Sequence, residues 1–301
     1  MKGIKYVISL SVCFFLILCF EVIYAQDSYQ TEISASYSRW DDEDDNKTTQ
    51  YDISAKLHFL PVNTVGHPLA EAAFLERIGN VQLHVGKVES KGESIIDIEA
   101  NGPLYGAALT YAKPDLPVVL QAQYAKIQLE FESPLDGDVT TDGYGVGFGY
   151  FLDKSLLAGI QYVHIETDAK IKYLTSSSET TSKTNSYALT AKFVREQSGG
   201  TAYNIEGGIE IEQFDDESDD GSNTIFGVSG DYYLNREVSL GAGFGLNTGD
   251  DKDNEGKTVN LDFNAFLTPQ FAVNIALEKF IADNDEGEDA DTFNVGMKVR
   301  F

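Results

Sequence analysis

Three glutamates, Glu206, Glu210 and Glu212, fall at even positions along a stretch whose odd positions are Ile205, Ile209 and Ile211. Successive side chains of an extended strand point to opposite faces, so the carboxylates would line one wall and the isoleucines the other. The same offset from apolar neighbours places Glu32, Asp52, Asp231, Asp262 and Glu278 on such a wall, together with Lys56, Lys192, Lys298 and Arg300. Ionisable side chains on one face can hold ions, brace each other as ion pairs, or border a watery passage. Catalysis would need a base and a nucleophile at defined spacing, and the four histidines supply neither. His58, His67, His84 and His164 stand apart, with no Gly-x-Ser-x-Gly elbow, no His-Glu-x-x-His and no phosphate-cradling glycine loop. His164 precedes Glu166 and Asp168, which could mimic a protease-like pair, but the alternation around it is ragged. His58 and His84 read as wall residues. No catalytic residue is expected.

Acidic runs form a second group: 41–45, 215–220, 250–255 and 283–291. Asp283, Asp285, Glu286, Glu288 and Asp289 could bind calcium or bridge lipopolysaccharide phosphates through divalent ions. None of these runs has the full twelve-residue spacing of a calcium loop, so the reading is solvated loops with no metal site and no cofactor. Asp and Glu number 48 against 22 Lys and Arg, a formal net charge of −26 that repels nucleic acid.

The segment 1–25 has the layout of a secretory signal peptide: Lys2 and Lys5, an apolar run from Tyr6 to Phe20, and Ala25 at the expected cut. Leu18 before Cys19 is too bulky for a lipoprotein site. Cleavage removes Cys13 and Cys19, the two cysteines, so redox chemistry and thiolate metal sites are excluded from 26–301. That remainder holds no apolar run long enough for a membrane helix, and a chain of this kind can span a bilayer only as a closed barrel.

The elements that would position the ionisable wall are strands. Period-two alternation, rich in Tyr, Phe, Val and Ile and broken by Gly, Asp and Asn, predicts fourteen of them. The first, about Tyr29 to Trp40, carries Tyr29, Thr31, Ile33, Ala35 and Tyr37 on one face and Glu32, Ser34, Ser36 and Ser38 on the other. A slip from Tyr124 to Ile127 suggests a β-bulge. Tight turns (Lys113 to Pro117, Asp153 to Ser155, Asn235 to Glu237, Thr268 to Gln270) alternate with longer polar segments such as Ser176 to Asn185. Short turns on one side and long loops on the other are the arrangement of an all-β, antiparallel up-and-down transmembrane barrel. Tyr and Phe near strand ends, among them Tyr51, Phe59, Tyr111 and Tyr150, suit aromatic girdles. The wet face is mostly small (Gly143, Gly145, Gly147, Gly149, Gly208, Gly227, Gly241, Gly243, Gly245), and side chains of that size leave an inner space unfilled. Its acidic excess predicts cation preference for whatever passes.

One segment breaks the alternation. Pro68 to Ile78 reads as a short helix after the second strand, on the short-turn side, placed either to narrow the lumen or to cap its end. His67-Pro68-Leu69-Ala70-Glu71-Ala72-Ala73-Phe74-Leu75, preceded by Leu60-Pro61-Val62-Asn63, resembles the general bacterial porins of Gram-negative bacteria. The terminal strand Thr292 to Phe301, ending in an aromatic residue, resembles the signature by which outer-membrane proteins are recognised for assembly. The resemblance implies an outer-membrane pore for passive diffusion of small hydrophilic solutes or cations, with outer-membrane lipid, lipopolysaccharide and the assembly machinery as partners and a homo-trimer by analogy. It supplies no catalytic residue. The other reading is a non-conducting structural or adhesive barrel with acidic surface loops.

Overall fold

The computed structural model describes residues 27–43, 46–92, 98–131, 136–173, 176–197, 200–215, 220–250, 255–283 and 288–301. The leader expected over 1–25 lies outside them, as do Asp44, Asp45, Asp285, Glu286 and the centres of the runs at 215–220 and 250–255.

Fourteen strands follow in chain order: β1 Ser28–Asp42, β2 Lys47–Asn63, β3 Asn80–Gly92, β4 Ile98–Tyr111, β5 Val118–Phe131, β6 Asp136–Phe151, β7 Leu156–Tyr173, β8 Ser176–Glu196, β9 Ala202–Asp215, β10 Asp220–Tyr233, β11 Val238–Gly249, β12 Gly256–Thr268, β13 Phe271–Ala282 and β14 Ala290–Arg300. Each pairs antiparallel with its sequence neighbours, and β1 pairs with β14, which closes the sheet into a barrel. Closure leaves no edge, so every strand's backbone can be bonded without water. No helix among the described residues is long and apolar enough to cross a membrane.

Register carries the alternation around the wall. Met297, Ala35, Ile53, Val85 and Tyr105 form one outward row across β14 and β1 to β4. The adjacent inward row is Gly296, Ser36, Asp52, Gly86 and Leu104. Outward Leu, Ile and Val such as Leu83, Val146, Ile160, Leu189 and Leu261 are more than half exposed, an apolar belt that suits hydrocarbon and not water. Tyr51, Tyr105, Tyr124, Tyr144 and Tyr187 rim its upper side, and Phe59, Tyr111, Tyr150 and Tyr232 its lower side. Tyr51 and Phe59 are eight residues apart, roughly 26 Å along the strand and about 20 Å along the barrel axis at a usual tilt.

Three sequence expectations change in detail. Tyr29 does not share the outward face of Ile33, Ala35 and Tyr37. A register shift between Tyr29 and Thr31 turns its ring inward, where it is 5% exposed on the same side as Glu32. The slip expected from Tyr124 to Ile127 is absent, because register runs unbroken through β4, β5 and β6 there. Lys126 stays on the outward face and pairs with Asp142 at 2.9 Å, above the apolar belt. The polar segment Ser176 to Asn185 is not a loop but the first half of β8. Cross-strand contacts hold it extended: Thr181 donates to Asp168 at 2.6 Å and Lys170 meets Glu179 at 2.9 Å. The long hairpins therefore project as sheet.

Candidate functional site

Inside the barrel, small side chains leave room. A cavity of about 650 Å³ reaches from Gln121 and Gln161 on one side to Asn260 and Glu278 on the other. A second, of about 460 Å³, lies nearer the short turns, among Asn204, Ser229, Asp231, Asp262, Asn274 and Lys298. Its floor is Ala70 and Glu71, from the connection between β2 and β3.

That connection is the main departure from a plain tube. Residues 64–79 enter the barrel mouth at the short-turn end, and only Ala72–Leu75 are helical (α1). The expected helix, Pro68 to Ile78, is shorter for two local reasons. Glu71 precedes α1 without a side-chain cap bond, because its carboxylate is used elsewhere. Arg77 takes a positive φ of 53°, which ends the turn and costs a non-glycine residue about 1 kcal/mol.

Contacts from five parts of the wall grip this segment. Leu69, 1% exposed, packs on Phe266 and Ala272 of β12 and β13. Ala72 and Ile78 pack on Tyr29 and Val62 of β1 and β2. Glu71, 5% exposed, accepts from Asn204 at 2.7 Å and from the Tyr233 hydroxyl at 2.8 Å, and pairs with Lys192 at 3.0 Å. Arg236, between β10 and β11, donates to the carbonyls of His67 (3.0 Å) and Thr64, and its own carbonyl accepts from Leu69 N–H at 2.9 Å. Arg77 donates to the Asp153 carbonyl at 2.7 Å and stacks over Phe151 at 4.3 Å. In that same turn the Ser155 amide holds the Asp153 carboxyl below the usual carboxylate range.

The sequence-selected wall residues fall into two groups. Arg300, 2% exposed, lies between the Tyr29 and Phe266 rings at 4.2 and 4.5 Å. It donates to Glu32 at 2.8 Å and to the Leu69 carbonyl at 2.9 Å. Lys298 and Lys56 approach the same Glu32 at 3.7 and 3.9 Å. Lys192 bridges Glu206 on the wall and Glu71 in the mouth segment. All four basic residues are thus paired. Asp52 lies 3.6 Å from His84. Glu210, Glu212, Asp231, Asp262 and Glu278 share the inward parity of their strands, and among the described residues no ion pair neutralises them. The structure does not gather the twelve at one point. It puts the cations near the mouth, where Asp231 and Asp262 also lie, and Glu210, Glu212 and Glu278 farther up the wall.

His58 is 2% exposed, edge-on to the Tyr29 ring at 5.4 Å, with no hydrogen-bond partner on either ring nitrogen. His164 is outward on β7, bonded to Asn185 at 2.9 Å, away from the lumen. Among the described residues no group of His, Cys, Asp and Glu could hold a metal ion. Sequence reading missed Glu71, Asn204, Tyr233 and Arg236. A carboxylate alone in the apolar run Leu69 to Leu75 was the available signal for the first.

The family described as "Putative general bacterial porin" matches residues 1–301. The chain belongs to this porin family. Among solved structures, the Acinetobacter baumannii outer membrane protein Omp33 is similar, with TM-score 0.58 and 19% identity over 91% of this chain and 99% of that one. The CymD monoaromatic hydrocarbon channel gives 0.54 and 11% identity, covering 91% and 89%. The Pseudomonas putida toluene transporter TodX gives 0.52 and 9%, covering 92% and 90%. At these identities the likeness is one of fold. No curated protein matches. The porin is thus an outer-membrane β-barrel of channel type, with short turns at one end and projecting hairpins at the other. Family and fold point to a channel.

Proposed function

We propose that this porin passes small hydrophilic solutes by passive diffusion, with a preference for cations, and that residues 64–79 narrow its periplasmic mouth. The observation that carries the reading is the unequal pairing of lumenal charge. Lys56, Lys192, Lys298 and Arg300 are each held by a carboxylate, whereas among the described residues no ion pair forms at Glu210, Glu212, Asp231, Asp262 or Glu278, which face the lumen. Fixed negative charge along a water-filled passage lowers the energy of cations and raises that of anions. The apolar outer belt meets lipid and lipopolysaccharide, and Phe301 is the residue we assign to recognition by the assembly machinery.

Planar-bilayer recording of the refolded barrel tests this. Discrete conductance steps and a reversal potential of cation-selective sign in a salt gradient are expected, with selectivity reduced by Glu210→Gln plus Glu212→Gln. An anion-selective reversal potential refutes the charge argument. The gripped mouth segment favours a second reading, a closed structural barrel, and silence of the folded protein in the bilayer would select it.

A further inference from the structure

The imidazole of His67 lies between two carboxylates. Its Nδ1 is 2.7 Å from Oε1 of Glu196, at the end of β8, and its Nε2 is 2.9 Å from Oε1 of Glu76, just after α1. Carboxylate oxygens only accept, and a neutral imidazole carries one N–H. Two contacts of this length therefore need two protons among the three groups, one more than a neutral histidine and two carboxylates hold. The positions matter because His67 and Glu76 flank the mouth segment at both ends, while Glu196 belongs to the wall. Arg236 is the other charged group against His67, on its backbone carbonyl. Arg77, next to Glu76, is turned away onto Asp153 and Phe151.

We propose that His67, Glu76 and Glu196 form a proton-dependent clasp that holds residues 64–79 in the barrel mouth and lets them go as pH rises. The docked segment binds one proton more than the released one once a free imidazole has become neutral. Docking is then favoured at low pH and lost as pH rises. The other polar grips act through Arg77, Arg236 and Arg300, whose guanidiniums stay charged throughout, and through Glu71 with Lys192, Asn204 and Tyr233. The clasp would make the periplasmic mouth tighter in acid and looser in mild base.

The inference rests on the channel reading only for its effect on flow, so the test reads the segment directly. A spin label on Val65→Cys, an exposed position of the segment, is placed in a full chain whose Cys13 and Cys19 are replaced by serine, and the folded barrel is reconstituted in liposomes. The mobile fraction of the label is expected to rise several-fold from pH 5.5 to pH 8. His67→Gln and Glu196→Gln should each show one mobile fraction at both pH values, because neither cluster then needs the second proton. A wild-type label indifferent to pH, or variants that follow wild type, overturns the clasp. Conductance is recorded on the same preparation. A pH-released label without channel steps supports the clasp and overturns the channel, whereas steps with a pH-indifferent label overturn the clasp alone.

Discussion

Glu71 sits in an apolar run and is buried, which would be unfavourable for an unpaired carboxylate. Its three partners, Lys192, Asn204 and Tyr233, convert that position into an anchor. Glu71→Ala leaves Lys192 on Glu206 and Asn204 on Asp231 but removes their hold on the mouth segment and that of Tyr233, and should weaken its docking by about 2 kcal/mol, the scale of hydrogen bonds to a charged group. Tyr233→Phe removes one hydrogen bond and should cost about 1 kcal/mol. Label mobility at Val65→Cys at fixed pH measures both, and equal effects would show that Lys192 and Asn204 contribute nothing. This anchor was not legible in the sequence, since its partners lie 121 to 162 positions downstream and only barrel closure brings them near. The face on which the wall carboxylates lie was legible, because parity within a strand needs no tertiary information.

At the scale of elements, alternation predicts strands wherever one face is apolar throughout, as in Tyr187, Leu189, Ala191 and Phe193 of β8. It fails where backbone geometry intervenes. The bulge after Tyr29 changes the parity of one residue, and an inward tyrosine beside an arginine cannot be told from a girdle tyrosine by type alone. The polar start of β8 was read as loop because Ser and Thr suit turns as well as solvated strands. Glycines on the inner wall have a consequence for width. A side chain built at Gly227 would meet nothing within 4 Å, so Gly227→Phe should fold with unchanged heat-modifiable migration while its ring projects into the lumen. Single-channel conductance should fall by about half, as a narrower path does for a diffusing ion. Unchanged conductance would place the passage elsewhere.

For the whole molecule, the strand ladders and the mouth segment are separable. No β-pairing includes residues 65–78, and every ladder from β1 to β14 is complete without them. Replacing 65–78 by a short glycine-serine linker should leave a folded barrel with conductance several-fold above wild type and little response to pH. Loss of folding would instead make the segment part of the barrel's framework. Whether Pro68 to Ile78 narrowed or capped the lumen could not be decided from sequence, because a helical pattern gives its own faces and not the direction in which the chain re-enters the wall.

The ladder between β1 and β14 runs from Glu32 opposite Arg300 to Asp42 opposite Ala290, and the Phe301 carbonyl accepts from Gln30 and Thr31 at 2.7 and 3.1 Å. The seam therefore joins segments at opposite ends of the sequence. A nascent polypeptide can zip hairpin to hairpin as it emerges, yet it keeps two raw edges until the fourteenth strand has arrived. Any copy interrupted before that point would reach the membrane as an open, sticky sheet, which proteases can tell from the finished ring.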